Sequence, residues 1–309
     1  ASSIFGGTAW FFCNSEFSSI ENKVVPLDFL FIDEAGQVPV ANLIAMSHIA
    51  DNLILMGDQM QLSNPTQGTH PDESGKSILE YLLGDQSTIP PDIGIFLPKT
   101  FRMHPDLCCI ISEQVYDNRL LSDDSTLKNT LSSELINLGL TPGIHYVPVF
   151  HESNIQGSIE EVLSIKNYTE KLIGCSLWKD KNNKADKKLD WDDILIVAPY
   201  NHQVNLLKQN LNSNARVGTV DMFQGQEAPI VILSMSVSDA SESPRGWEFL
   251  FSKNRLNVAI SRAQSAAIIF ASPNLISTSV NTLKQMQLIN FYSRIKENGK
   301  NSTIINFIN

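Results

Sequence analysis

Short runs of consecutive apolar residues alternate along this chain with longer segments whose apolar positions recur every three to four residues. The runs at 4–12, 29–32, 53–56, 194–198, 230–235 and 267–271 are rich in Val, Ile, Leu, Phe and Ala on successive positions, as strands buried on both faces are. Between them, segments 39–50, 76–84, 105–117, 159–174, 201–211 and 254–263 carry helical spacing. That rhythm predicts an α/β fold with largely parallel sheets covered by helices. Turn-rich stretches fall at 63–75 and 85–94, and the three prolines of 89–98 mark an expected boundary between two domains, 1–98 and 99–309. Segment 121–143 reads as a variable connection, and the lysine-rich 179–188 as a solvated surface loop.

Composition narrows the class. The 309 residues are 42% hydrophobic and 18% charged, which fits two globular domains and excludes wholesale disorder or a fibrous repeat. No uncharged apolar run reaches the ~18–20 residues of a membrane helix. Cys13, Cys108, Cys109 and Cys175 show no C-x-x-C spacing, which argues against a zinc site or a disulfide framework. An intracellular monomer is expected, cytoplasmic or, in a eukaryote, nuclear. The chain opens Ala-Ser-Ser-Ile, with neither an initiator Met nor a basic leader. Its net charge of −10 lies wholly in 1–98, where twelve acids face only Lys23 and Lys76. Electrostatics alone would not hold nucleic acid to such a chain.

Chemistry-bearing residues gather where the apolar runs end. Phe29-Leu30-Phe31-Ile32-Asp33-Glu34-Ala35-Gly36-Gln37 sets two carboxylates at the carboxyl end of a buried strand, where open α/β sheets place their ligand crevice. Such a pair suits nucleoside triphosphate hydrolysis, one acid holding a Mg²⁺ shell and its neighbour orienting the attacking water. Taken alone, the pair more simply ends the strand and caps the helix near Pro39, because acidic helix starts are common. Met56-Gly57-Asp58-Gln59-Met60-Gln61-Leu62 repeats the pattern: Gly57 allows a tight turn, and Gln61 offers an amide able to report a γ-phosphate. Phe101-Arg102-Met103-His104-Pro105 puts an arginine before a proline-started helix, and Arg255 and Arg262 stand seven apart on nearly one helical face. Arginine forks of this kind neutralise the charge of phosphoryl transfer. Val217-Gly218-Thr219-Val220-Asp221-Met222-Phe223-Gln224-Gly225-Gln226-Glu227 reads as a strand-to-strand turn whose Gly225 permits close backbone approach to a ligand.

In this order the five segments resemble the superfamily 1 helicases, in particular the subgroup of the nonsense-mediated-decay helicase and the replication nuclease-helicase, over about residues 1–272. The resemblance implies tandem RecA-like P-loop NTPase folds with mostly parallel sheets, the first domain incomplete. It implies ATP and Mg²⁺ as cofactors and single-stranded DNA or RNA as partner. Asp33 would hold the metal, Glu34 would activate water, and Gln61 would sense the γ-phosphate. Arg102 and Arg262 would be paired arginine fingers from the second domain, with Gln224, Gly225 and Glu227 at the nucleotide. Thr8 and Thr219 resemble contacts to the nucleic-acid backbone.

One expected part is not in the sequence. A phosphate loop reads G-x-x-x-x-G-K-[ST] after a buried strand. Gly75-Lys76-Ser77 has His70 five positions before Gly75 and reads instead as part of a surface helix over 74–84. In the family that loop lies well upstream of the Asp-Glu pair. The chain is therefore expected to be a carboxy-terminal piece of a longer helicase, partnered by an upstream segment and nearly inactive alone. The alternative is a degenerate RecA-like scaffold for protein contacts, a role that does not require Glu34, Arg102 and Arg262. A nuclease fits least, because Glu21-Asn22-Lys23 has no well-placed partner aspartate.

Overall fold

The computed structural model describes residues 4–13, 27–62, 70–178, 187–277 and 280–301, in two compact units, Ala1–Phe96 and Leu97–Asn309. The loop predicted at 179–188, apart from its last two residues, lies outside the described residues, as do Glu21-Asn22-Lys23 and the first part of the 63–75 turn.

The first unit runs α1 (Ala9–Phe12), β1 (Leu27–Ile32), α2 (Val40–Ser47), β2 (Ala50–Leu55) and α3 (Ile78–Leu83). β1 and β2 pair in parallel, with Phe31 opposite Ile54 and Ile32 opposite Leu55. Leu30 and Ile32 turn inward and pack with Leu43, Met46, Leu79 and Leu83, while Phe29 and Phe31 stand exposed on the other face. α3 begins at a capping box, in which the Ser77 hydroxyl accepts from the Glu80 amide and the Glu80 carboxylate accepts from the Ser77 amide. Lys76, just ahead of that cap, is exposed and pairs with Glu73. The run at 4–12 is not a strand. Thr8 caps a helical turn there, and the Phe11 ring packs onto Gly7 so closely that a Cβ on Gly7 would sit 2.5 Å from it.

The second unit contains β3 (Lys99–Thr100), α4 (Pro105–Val115), β4 (Leu121–Ser122), α5 (Ser133–Asn137), β5 (Gly143–Pro148), α6 (Ile159–Leu172), β6 (Ile194–Val197) and α7 (Asn201–Asn210). It continues through β7 (Arg216–Gly218), β8 (Ala228–Ser234), α8 (Gly246–Leu250), α9 (Lys253–Ser261), β9 (Ala263–Ala271), α10 (Leu283–Asn298) and β10 (Lys300–Asn301). A six-stranded sheet in the order β10-β5-β9-β8-β6-β7 is parallel throughout. Its central strands are buried along their length, which is why their sequences are apolar on consecutive positions. Val162 and Ile165 of α6 and Val204 and Leu207 of α7 pack in the core with strand residues such as Ile196, Ile232 and Ile268.

Segment 121–143, expected as a variable connection, holds β4, a 3₁₀ turn and α5, and Leu131, Leu135 and Leu140 are wholly buried in the core. Segment 217–227 does join two strands, β7 and β8, but β6 lies between them in the sheet and the segment crosses over it. No helix among the described residues is long and apolar enough to cross a membrane.

Candidate functional site

In the first unit the parallel pairing of β1 and β2 brings two sequence motifs together at their carboxyl ends. The Ala35 amide donates to the Met56 carbonyl at 2.8 Å, and the Met56 amide to the Ile32 carbonyl at 2.8 Å. Glycines make this approach possible. A Cβ on Gly36 would lie 2.7 Å from the Asp58 carbonyl oxygen, and one on Gly57 would lie 2.8 Å from the Ala35 nitrogen. Asp33 and Glu34 follow β1 directly and are exposed. Neither caps α2, whose N-cap is Pro39.

Glu34 adopts φ 51°, a left-handed conformation that non-glycine residues seldom hold. Its amide donates to Asp33 Oδ1 at 2.9 Å, and its carboxylate accepts from Gln37 Nε2 at 3.4 Å. Two adjacent, exposed carboxylates thus stand at one strand end, each already accepting a hydrogen bond. Gln61 is half-buried and donates from Nε2 to Asp58 Oδ2 at 3.2 Å, so Asp58, part of the quoted motif but given no role of its own, joins this group. Thr8 is exposed and occupied as the cap of α1.

The second unit collects arginines around one segment. Arg102 follows β3, and its backbone is fixed by Asn129 Nδ2, which donates to the Arg102 carbonyl at 2.8 Å. The next turn is tied to β9 by the His104 amide on the Gln264 carbonyl at 2.8 Å. Arg102 Nε donates to Glu227 Oε2 at 2.5 Å and Nη1 to the Ser261 carbonyl at 3.2 Å, at the carboxyl end of α9. Glu227 Oε1 accepts from Gln264 Nε2 at 2.8 Å. Burial opposes ionisation of Glu227, yet the bonds from Arg102 and Gln264 and the charges of Arg102 and Arg262 outweigh it and hold the carboxyl below the usual range.

Arg262 is buried as the C-cap of α9 and reaches the Gln226 carbonyl at 3.5 Å, while Arg216 Nη2 donates to Gln226 Oε1 at 2.7 Å. Arg255 forks onto Asp221 at 3.0 and 3.4 Å. Residues 221–227 are therefore gripped by Arg102, Arg216, Arg255 and Arg262. Gln224 and Gly225 sit exposed at the turn, where Gly225 takes φ 75°. Thr219 is half-buried and precedes the 3₁₀ turn Val220–Phe223. Arg216 and Gln264 are members that motif reading missed: Arg216 lies just ahead of its segment, and Gln264 two residues past Arg262.

A second polar group escaped the sequence altogether. Glu161, wholly buried on α6, accepts from the Ser234 hydroxyl at 2.5 Å and the Ser236 amide at 2.9 Å, and its other oxygen lies 3.0 Å from His151 Nε2. His151 Nδ1 lies 2.7 Å from the Ser238 hydroxyl, and Gln203 Nε2 donates to Ser234 Oγ at 2.7 Å. This network ties the carboxyl end of β8 to α6 and α7.

The model of a family described as an AAA domain matches residues 75–274. The chain belongs to the AAA domain family. Its relatives place this AAA domain among the superfamily 1 helicases. It is 28% identical over 287 residues to the DNA replication ATP-dependent helicase/nuclease dna2 of Schizosaccharomyces pombe, covering 85% of this chain and 20% of that protein. It is 28% identical to the DNA polymerase alpha-associated DNA helicase A of the same yeast, covering 81% of this chain and 38% of that one. To the probable helicase senataxin of Mus musculus it is 29% identical, covering 91% of this chain and 10% of that one. The AAA domain chain thus spans well under half the length of these curated relatives. Among solved structures, an arterivirus nonstructural protein 10 helicase in complex with DNA gives a TM-score of 0.38 at 14% identity, over 80% of this chain and 41% of that one.

Proposed function

We propose that this chain is motor machinery of an ATP-dependent helicase or translocase, coupling Mg-ATP hydrolysis to movement on single-stranded nucleic acid. The observation that carries the reading is the gathering of Arg102, Arg262 and Glu227 around one glycine-bearing turn in a family of helicases. Buried or tethered arginines with their forks near an exposed backbone turn suit a phosphoryl group whose charge grows in the transition state. In this reading Arg102 leaves Glu227 for the phosphate, and Glu227, Gln224 and Gly225 line the nucleotide. Glu34 orients water and takes its proton, and Gln61 senses the γ-phosphate. Thr8 and Thr219 touch the strand backbone.

Asp33 suits Mg²⁺, which keeps most of its shell in water and phosphate oxygens and needs only one or two carboxylates. Among the described residues no group of three or more His, Cys, Asp or Glu could cage an ion, so a metal here would be held largely by the nucleotide itself. The ion would supply charge neutralisation at the phosphates. The phosphate loop is assigned to a segment outside these 309 residues. The exposed Phe29 and Phe31 support that assignment, since a parallel sheet is ordinarily covered on both faces.

The test is ATP turnover by the protein that carries both this chain and a phosphate loop. Arg102→Ala and Arg262→Ala should each lower kcat about 10³-fold with a smaller change in KM. Unchanged turnover in both variants would sink the reading.

A further inference from the structure

The second unit holds a pocket beside the arginine-rich turn, with Arg255 common to both. It opens at the carboxyl ends of β6 and β8 and is floored by apolar side chains, among them Ala198, Val220 and Met235, with Phe249 and Arg255 in its wall. The route of the chain puts Phe249 there. Gly246 takes φ 75° after Arg245, and the short helix α8 that follows carries the ring over the strand ends. Phe249 packs on Tyr200 at 5.5 Å between ring centroids, and the Tyr200 hydroxyl is fixed 2.7 Å from that of Ser243.

Two guanidinium groups meet this one ring. Arg245 lies 3.7 Å from its centroid and Arg255 lies 4.6 Å from it. Their situations differ. Arg255 is neutralised by Asp221, whereas Arg245 is exposed and pairs with no carboxylate among the described residues. A flat cation held on an aromatic ring at the rim of an apolar hollow is suited to a flat π surface that carries its own negative charge. That is the chemistry of a nucleotide, its base stacking on the guanidinium or ring and its phosphate meeting the unpaired charge. An acidic peptide would satisfy Arg245 but leave the apolar floor unused.

We infer that Arg245 and Phe249 form a stacking platform for one base of a single-stranded nucleic acid. This rests on the helicase reading above and adds residues that no motif in the sequence marked. Position favours a base in a strand over a free nucleotide. The cluster of Arg102, Glu227 and Arg262 sits at the amino ends of β8 and β9, and the platform sits beyond the other end of β8. Seven residues of strand separate the two by about 20 Å. Thr219, assigned to the strand backbone, immediately precedes Val220 of the pocket and Asp221, which holds Arg255.

The experiment is fluorescence anisotropy of the 309-residue chain with a labelled thymidine oligomer and with an abasic oligomer of equal length and charge, at one salt concentration. The platform predicts about ten-fold tighter binding of the base-bearing strand, within the range that stacking one base supplies. Phe249→Leu, which keeps an apolar side chain on α8, and Arg245→Ala, which alters only an exposed side chain, should bring that ratio close to one. A wild-type ratio of one, or a ratio that survives both substitutions, overturns the platform and leaves the nucleic-acid reading standing. Thymidine monophosphate that displaces the oligomer as well as an unlabelled strand does would overturn the strand assignment. Failure of both oligomers to bind overturns the nucleic-acid reading, and the platform with it.

Discussion

Glu161 shows how much one buried side chain can organise. Desolvation pushes its carboxyl up, against the bonds from His151, Ser234 and Ser236 that pull it down, and the net direction is upward. A carboxyl raised by folding binds its proton more tightly in the native chain than in the unfolded one. Its contribution to stability is therefore fullest below the unfolded value of about 4.3 and shrinks as pH rises toward the folded one. Glu161→Gln has no such titration and can still accept from Ser234 and Ser236 while donating to His151. Urea unfolding from pH 4 to pH 8 should show the stability of the wild type falling relative to Glu161→Gln as pH rises. A pH-independent difference would contradict this. Glu161→Ala strands the Ser236 amide and should lose about 1–3 kcal/mol at every pH.

Between elements, the decisive contact is the one that glycine permits. The loops after β1 and β2 touch backbone to backbone because Gly36 and Gly57 have no Cβ. Gly36→Ala would force a Cβ against the Asp58 carbonyl and should destabilise the first unit by about 1–3 kcal/mol, read as a shift in the urea midpoint. An unchanged midpoint would mean that the loops part easily. Strands and helices of this core were legible in the sequence where burial on both faces or one apolar stripe wrote a clear period, as in β6, β8, α4 and α6. β5 was not: His145 and Tyr146 interrupt its apolar run, yet they are buried, with His145 bonded to the Thr141 carbonyl at 2.6 Å. α10 hid for a different reason: only Phe291, Tyr292 and Ile295 of its sixteen residues are buried, too few to write an apolar stripe. The run at 4–12 misled for the opposite reason, since apolar composition outweighed the capping signal of Thr8. Of the site, the motif residues were readable as residues. Their partners Arg216 and Gln264 were not, because tertiary pairing leaves no local period.

On the scale of the molecule, charge and chemistry divide between the two units. The first carries the whole net charge of −10 and the carboxylates Asp33, Glu34 and Asp58, beside an exposed apolar sheet face. The second carries the arginines. In the proposed reading the carboxylates of the first unit would serve a divalent ion and the arginines of the second would serve the phosphates. Glu34, in its left-handed turn, is the residue on which that account depends most. The most direct measurement is ATP hydrolysis as a function of single-strand concentration, made on the protein that joins this chain to a phosphate loop, with and without Glu34→Gln. The wild type should show strand-stimulated turnover, and the variant should lose it by about 10³-fold with ATP binding retained. Equal turnover in the two proteins, or wild-type turnover indifferent to the strand, would contradict the reading.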